Sequence, residues 1–396
     1  MDCPYGWDQR MIEIIYLVLS GMVAISLVIT FMNWKFLKSL SDLEPTQLSV
    51  VDRPRVSILV PARNEENGIT DCVKSLASQT YYPLEILILD DRSTDSTVVK
   101  ALNAAGRDDR IRMLEGEDTP SGWVGKSWAC DQLYRASAGE LLIFMDADTV
   151  ISPETVSVSV NELTRLEADL LTVMPGRKSK TIVERLMYAF MDWILFCWMP
   201  MKTTEIRGPG YLSTAFGQFM LFKRESYEEI GGHYCIKDEP LDDFSLGRMA
   251  KRMGLRRLIF QASDWVSVLP YQNSVDAFRG VSRSVFPAMN YRVSAFLGLS
   301  IMLCIIGFLP ILTIVLATVV FSESEFPTEL SGASLLMVAV TWLAVCLRFR
   351  HSLLLVFFHP FSILLMLTVA GHSLANYVFR KASWKDRRIV DQKIRF

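Results

Sequence analysis

Residues 143–149 read IFMDADT. An apolar run closes abruptly on two acids, Asp146 and Asp148, one residue apart. A short apolar run of this kind, here 140–148, suits a strand buried on both faces. The carboxyl end of such a strand is where open parallel sheets bind ligands. The same pattern recurs on either side, at RVSILVPA (55–62), LEILILDD (84–91), RIRML (110–114) and ADLLTVMP (168–175). Helix-like segments fall between, at about 65–79, 95–105, 126–137 and 153–166, and the alternation predicts βαβ units in an α/β, mostly parallel, Rossmann-like sheet. Three acidic clusters then share one rim: RNEE after the first strand, Asp90 and Asp91 after the second, Asp146 and Asp148 after the fourth. Any one of them could be a helix cap, as DRSTDST (91–97) and Ser152 before Pro153 suggest. Three at one rim argue for a ligand. Neither GxGxxG after the first strand nor GxxxxGK[ST] is present, which speaks against a dehydrogenase-type dinucleotide site and an ATP-cradling loop. In GWVGKSWA (122–129) a Gly-Lys pair enters a helix, a place where backbone N–H groups can hold an anion.

The bulk composition divides the chain. Its 396 residues carry a formal net charge of −2, with 51% hydrophobic and 21% charged residues. The mean hydropathy of +0.26 is high for a soluble enzyme, and the charge is high for a pure membrane bundle. Residues 11–32 are long enough to cross a bilayer and read as a span rather than a cleaved signal peptide. Residues 1–10 precede it and 33–53 form a linker. Residues 291–379 form a second membrane region, with spans near 296–321 and 331–347. Lys35 and Lys38 follow the first span, so the positive-inside rule puts the N-terminus outside and the polar domain on the cytoplasmic side of a multi-pass cell-membrane protein. SESEFPTEL (322–330) is acidic and fits an outside loop. The segment 353–379 is flanked by basic residues at both ends and contains Pro360, so a re-entrant or interfacial hairpin is expected, with a third span as the rival. The tail, 380–396, is basic. Seven scattered cysteines without CxxC spacing suggest neither a zinc site nor a disulfide framework. Nothing in the sequence points to nucleic acid.

Five motifs occur in order: VPARNEE (60–66), LDDRSTDST (89–97), GKSWA (125–129), MDADT (145–149) and LDDFSLGRMAKRMG (241–254). Together they resemble the family 2 inverting glycosyltransferases of GT-A fold, over residues 54–290. The flanking apolar segments and WKDRR (384–388) resemble the membrane-bound branch that glycosylates lipids, where carotenoid- and hopanoid-associated enzymes belong. The resemblance implies a nucleotide-sugar donor, UDP favoured, and a Mg2+ or Mn2+ cofactor. It implies that Pro61, Ala62, Arg63 and Glu65 contact base and ribose, and that Asp91 with Asp90 reads the uracil. It makes Asp146, Ala147 and Asp148 the DxD element, with Asp148 the metal ligand and Asp146 nearer the ribose. Lys126 lies near the nucleotide, and Asp243, preceded by Asp242 where the family has Glu, is the catalytic base. The chemistry agrees: a departing diphosphate needs a hard cation held by carboxylates, and an attacking hydroxyl needs a base.

The QxxRW motif of polysaccharide synthases is missing from 276–291, which offers only Arg279 and Arg283 as diphosphate contacts. This argues against the first alternative, a polymer synthase of the same fold. The intact acids argue against the second, a non-catalytic membrane scaffold. For the acceptor, residues 181–201 read as an amphipathic helix in the membrane interface carrying Trp193 and Trp198, with Gly217, Gln218 and His233 in the segment that follows. The expected acceptor is a lipid hydroxyl at headgroup depth, in a terpenoid, carotenoid, hopanoid, glycerolipid or ceramide-like molecule.

Overall fold

The computed structural model describes residues 9–43, 53–205, 215–319, 327–384, 387–388 and 394–396. Residues 1–8, the acidic part of the expected outer loop and much of the basic tail lie outside the described residues. The chain enters through α1 (Gln9–Phe36) and then alternates: β1 (Val56–Ala62), α2 (Ile69–Ala77), β2 (Leu84–Asp90), α3 (Thr97–Ala105), β3 (Ile111–Glu115), α4 (Gly125–Ala136), β4 (Leu141–Phe144). It continues through β5 (Thr149–Ile151), α5 (Thr155–Arg165), β6 (Leu170–Arg177), α6 (Ile182–Trp198), β7 (Met220–Lys223), α7 (Arg224–Glu229), α8 (Asp242–Met253) and β8 (Arg257–Val268). Four helices follow: α9 (Ser274–Ala288), α10 (Val293–Val319), α11 (Thr328–Arg348) and α12 (Leu355–Val378).

One eight-stranded sheet, in the order β3-β2-β1-β4-β7-β6-β8-β5, organises the domain. The β3-β2-β1-β4 half is wholly parallel, as the βαβ pattern predicts. Short β7 then runs antiparallel between β4 and β6, so the sheet as a whole is mixed. Alternation explains the burial. Ile58, Val60, Ile86 and Ile88 face one core, whereas Leu59, Leu87 and Leu89 face the other. The strand expected over 140–148 ends at Phe144. Beyond it Thr149 N–H donates to Asp146 O (3.1 Å), so the DAD residues form a turn that leaves the sheet at its carboxyl edge.

Four described helices, starting at Met11, Val293, Thr328 and Leu355, are long and apolar enough to cross a membrane. Far from the domain, Tyr16 of α1 bonds Thr313 of α10, and Ser20 bonds Ser334 of α11 at 2.9 Å. Near the domain, the Arg348 guanidinium donates to Leu37 O, just past the end of α1. Thus α1 and α11 approach the domain while α10 leaves it.

The expected hairpin at 353–379 is a single helix, α12. Its first turn comes four residues after His351, which bonds Asp192 of α6 at 2.8 Å. Its last turn places Tyr377 against Phe286 and Tyr291, beside the start of α10. Both ends are therefore anchored on the domain side, which meets the charge requirement without a hairpin. Pro360 leaves Val356 O without its helical donor, and His359 Nδ1 lies 2.7 Å from that oxygen. Pro287 in α9 likewise frees Arg283 O, and Tyr377 Oη donates to it at 3.1 Å.

Helix α6 joins the domain to the apolar helices. It starts with a Thr181/Glu184 capping box and packs against α1, α9, α11 and α12, leaving Ile182 and Arg185 exposed. Trp193 is 1% exposed, stacks on Trp342 at 5.3 Å and donates to Thr341 Oγ1 at 3.0 Å. Asp192 compensates for its burial by pairing with Arg177 and His351, which ties α6 to the end of β6 and to the α11–α12 link. Trp193→Ala is expected to destabilise the protein by about 3–5 kcal/mol, read as a lowered Tm in detergent.

Candidate active site

A cavity of about 400 Å3 opens at the carboxyl ends of β1 and β4. Each element delivers its residues by ending there. Pro61, Arg63 and Glu65 come from the end of β1 and its loop, Asp146, Ala147 and Asp148 from the turn after β4, and Lys126 from the first turn of α4. Gln218 precedes β7, Asp242 and Asp243 open α8, and Arg283 reaches in from α9. Residues as far apart in sequence as Pro61 and Arg283 thus share one wall.

Lys126 is the centre of charge. Its Nζ lies 2.8 Å from Asp146 Oδ1 and 3.1 Å from Asp242 Oδ1. Burial alone would lower its pKa, but the two carboxylates outweigh this and hold it well above the usual lysine range. Burial likewise works against ionised Asp242, yet Lys126 and then His233 keep its carboxyl below the usual range. Asp243 goes the other way: burial, and then the negative charge of Asp242, lift it to about 7. Two adjacent acids are thereby split, one held as an anion and the other poised near neutrality. Asp243 Oδ2 accepts from Gly217 N–H (3.0 Å) and Oδ1 from Phe244 N–H (2.7 Å), so its orientation is fixed by backbone. Asp146 Oδ2 is 3.4 Å from Gln218 Nε2. Burial raises Asp146 despite Lys126.

Other expected residues lie off the cavity. Ala62 is packed in the core, and Gly217 is buried among the charged groups, where a Cβ would lie 3.4 Å from Asp146, Asp243 and Lys126. Asp90 accepts from Ser93 N–H (3.2 Å), which is a turn contact. Asp91 is 2% exposed behind Arg63, whose Nη1 donates to Asp91 O at 2.6 Å. Arg279 faces solvent, while Trp193 and Trp198 belong to the core between domain and helices. His233 is fully buried, and its Nε2 stands 3.5 Å from Asp242 Oδ2.

Tyr271 was missed by sequence reasoning. It lines the cavity, its N–H donates to Glu184 Oε1 (2.9 Å), and a Cβ at Gly280 would lie 2.3 Å from its hydroxyl oxygen. Gly280 inside an otherwise helical stretch was the available signal, since such a glycine often marks a close approach.

The cavity's carboxylates form an all-oxygen donor set, which suits a hard divalent ion. A second cluster, Cys130, His233 and Asp242, brings its ligand atoms within 4.8 Å of one another. Its donors include a thiol and an imidazole, so it is not the hard, all-oxygen set that the cavity offers.

Comparisons with known proteins agree with this geometry. Residues 57–231 match the model of the family Glycosyl transferase family 2. The chain is 27% identical over 229 residues to a 4,4'-diaponeurosporenoate glycosyltransferase of Staphylococcus aureus, covering 57% of this chain and 58% of that protein. The Staphylococcus haemolyticus protein of the same name is 26% identical over 219 residues, covering 55% and 57%. The chain thus aligns with less than two thirds of the length of these relatives. A mannosyltransferase from Pyrobaculum calidifontis, solved with GDP-Man and Mn2+, superposes with a TM-score of 0.54 at 18% identity, covering 94% of this chain and 100% of that one; this likeness bears on the fold alone. Residues 57–231 are a family 2 glycosyltransferase domain on a GT-A scaffold, joined to helices apolar enough to cross a membrane.

Proposed function

We propose that this protein transfers a single sugar, with inversion, from a nucleotide-sugar donor to a membrane lipid. One observation carries the reading. A cavity that gathers Lys126, Asp146, Asp148 and Asp243 is walled in part by α9, and α9 packs directly on apolar α12. Donor and membrane acceptor can therefore meet at one point. Asp148, assisted by Asp146, would hold Mg2+ or Mn2+; when bound, this ion supplies positive charge for the departing diphosphate. Lys126 and Arg283 add cationic groups on the same wall. Asp243 takes the proton of the attacking hydroxyl. No covalent sugar–enzyme step is needed, because attack from the face opposite the leaving group inverts the anomeric carbon. Arg63 and Glu65 form the base and ribose end, with Asp91 buried behind Arg63, and a UDP-sugar is the favoured donor. The positive charges after α1 favour a cytoplasmic domain.

The relatives' name favours one further reading of the acceptor. Diaponeurosporenoate is a carboxylate, and a carboxylate attacks without losing a proton. With such an acceptor Asp243 would orient rather than deprotonate.

The experiment is direct. Purified protein is incubated with labelled UDP- or GDP-sugars, cell lipid extract and Mg2+ or Mn2+. A labelled lipid is expected; failure with every sugar nucleotide would sink the reading. A ladder of long products would favour a polymer synthase. Gly280→Val should displace Tyr271 from the cavity wall and raise the donor KM about 10-fold, with a smaller change in kcat.

A further inference from the structure

The loop before α8 holds a buried relay that the proposed reaction does not explain. Tyr227 in α7 is 1% exposed, and His233 and Asp242 are 0% and 4% exposed. The Tyr227 hydroxyl oxygen accepts the backbone N–H of His233 at 3.0 Å and lies 2.7 Å from His233 Nδ1. An oxygen already accepting from the backbone has its own O–H to give. Nδ1 is then the acceptor, and the ring proton resides on Nε2. That Nε2 has no hydrogen-bond partner and stands 3.5 Å from Asp242 Oδ2, at the outer edge of bonding reach. The other oxygen of Asp242 takes Lys126, which also holds Asp146.

Local backbone is shaped to make this contact. Gly231 and Gly232 adopt φ of +78° and +53°, in the left-handed region. A Cβ on Gly232 would sit 2.6 Å from the Tyr227 ring. Phe144 stacks on Tyr227 at 5.0 Å and meets the His233 ring at 4.8 Å, closing the third side. Cys130 and Asp131 of α4 also lie near the imidazole.

We infer that His233, held as its Nε2–H tautomer by Tyr227, is a positioning residue that fixes Asp242 and, through it, Lys126 between the two carboxylates. The effect on catalysis rests on the proposed transferase reading; the tautomer does not. His233 touches no cavity wall, so it acts only through Asp242. A metal at Cys130, His233 and Asp242 would need a bare Nε2 and is incompatible with this arrangement.

Two measurements test it. In 15N-histidine-labelled full-length protein in detergent, with the signal assigned by its loss in His233→Gln, His233 should show the Nε2–H tautomer. An Nδ1–H signal, or stoichiometric zinc that disappears in His233→Leu, would overturn the inference whether or not turnover is found. In the sugar-transfer assay His233→Leu should lower kcat about 10- to 100-fold with little change in donor KM. His233→Gln, which keeps an N–H near the Nε2 position, should restore most of the loss, and Tyr227→Phe should fall between. An active wild type with His233→Leu unchanged, or His233→Gln no better than a folded His233→Leu, would overturn the inference and leave the transferase reading standing.

Discussion

Asp243→Asn is expected to lower kcat by about 10^2- to 10^4-fold while donor KM stays nearly constant, because a general base acts in the transition state. Amide and carboxylate have nearly the same shape, but the amide keeps one oxygen for only one of the Gly217 and Phe244 N–H groups, which bond separate oxygens of Asp243. What disappears is the proton acceptor. The wild-type pH profile should carry the matching signature. Burial and the charge of Asp242 place Asp243 at about 7, and only the ionised form accepts a proton. Transfer should therefore rise with pH through about 7 and fall below it. The profile is measured as kcat/KM against pH with saturating metal. A hydroxyl acceptor demands this result. Survival of activity in Asp243→Asn, with a flat acidic limb, would point to a carboxylate acceptor.

Asp148→Ala should abolish metal-dependent donor binding. A hard divalent ion bridging a carboxylate and a diphosphate contributes several kcal/mol, so removing the carboxylate should weaken UDP or GDP binding in Mn2+ by about 100-fold or more. Calorimetry reads this without turnover. The neighbouring acid should behave differently. Asp146 is paired with Lys126, so Asp146→Asn also removes one of the two carboxylates that hold this ammonium, and its loss is part metal, part charge rearrangement. Equal affinity with and without Mn2+ in the wild type would count against a metal at this corner.

Much of the site was legible because strand ends punctuate a sequence sharply. Asp146 and Asp148 follow five buried apolar residues, Leu141 to Met145, and that boundary survives folding as the cavity rim. The acids at 90 and 91 were harder to read. Both end a strand, yet Asp90 serves a turn and Asp91 lies behind Arg63, because the chain direction past Ala62 decides which carboxylate sees the cavity. Three strands escaped notice. β5 has three residues and β7 four, too few for a period, and β8 carries polar residues through its middle. Its partners are distant in sequence, so only tertiary pairing reveals them. For α6, apolar and charged residues together read as an amphipathic surface. Asp192 is buried only because Arg177 and His351 arrive from elsewhere, which no local pattern encodes.

The course of α12 has a consequence for topology. Length and hydropathy count four passes, an even number, and an even count returns the chain to the face where it began. We propose that α12, whose two ends both pack on the domain side, contributes no pass, which makes the parity odd. The segment after α1 and the basic segment after α12 then add their positive charge to a single leaflet, instead of opposing each other across the bilayer. The conflict in the flanking charges was therefore information about parity.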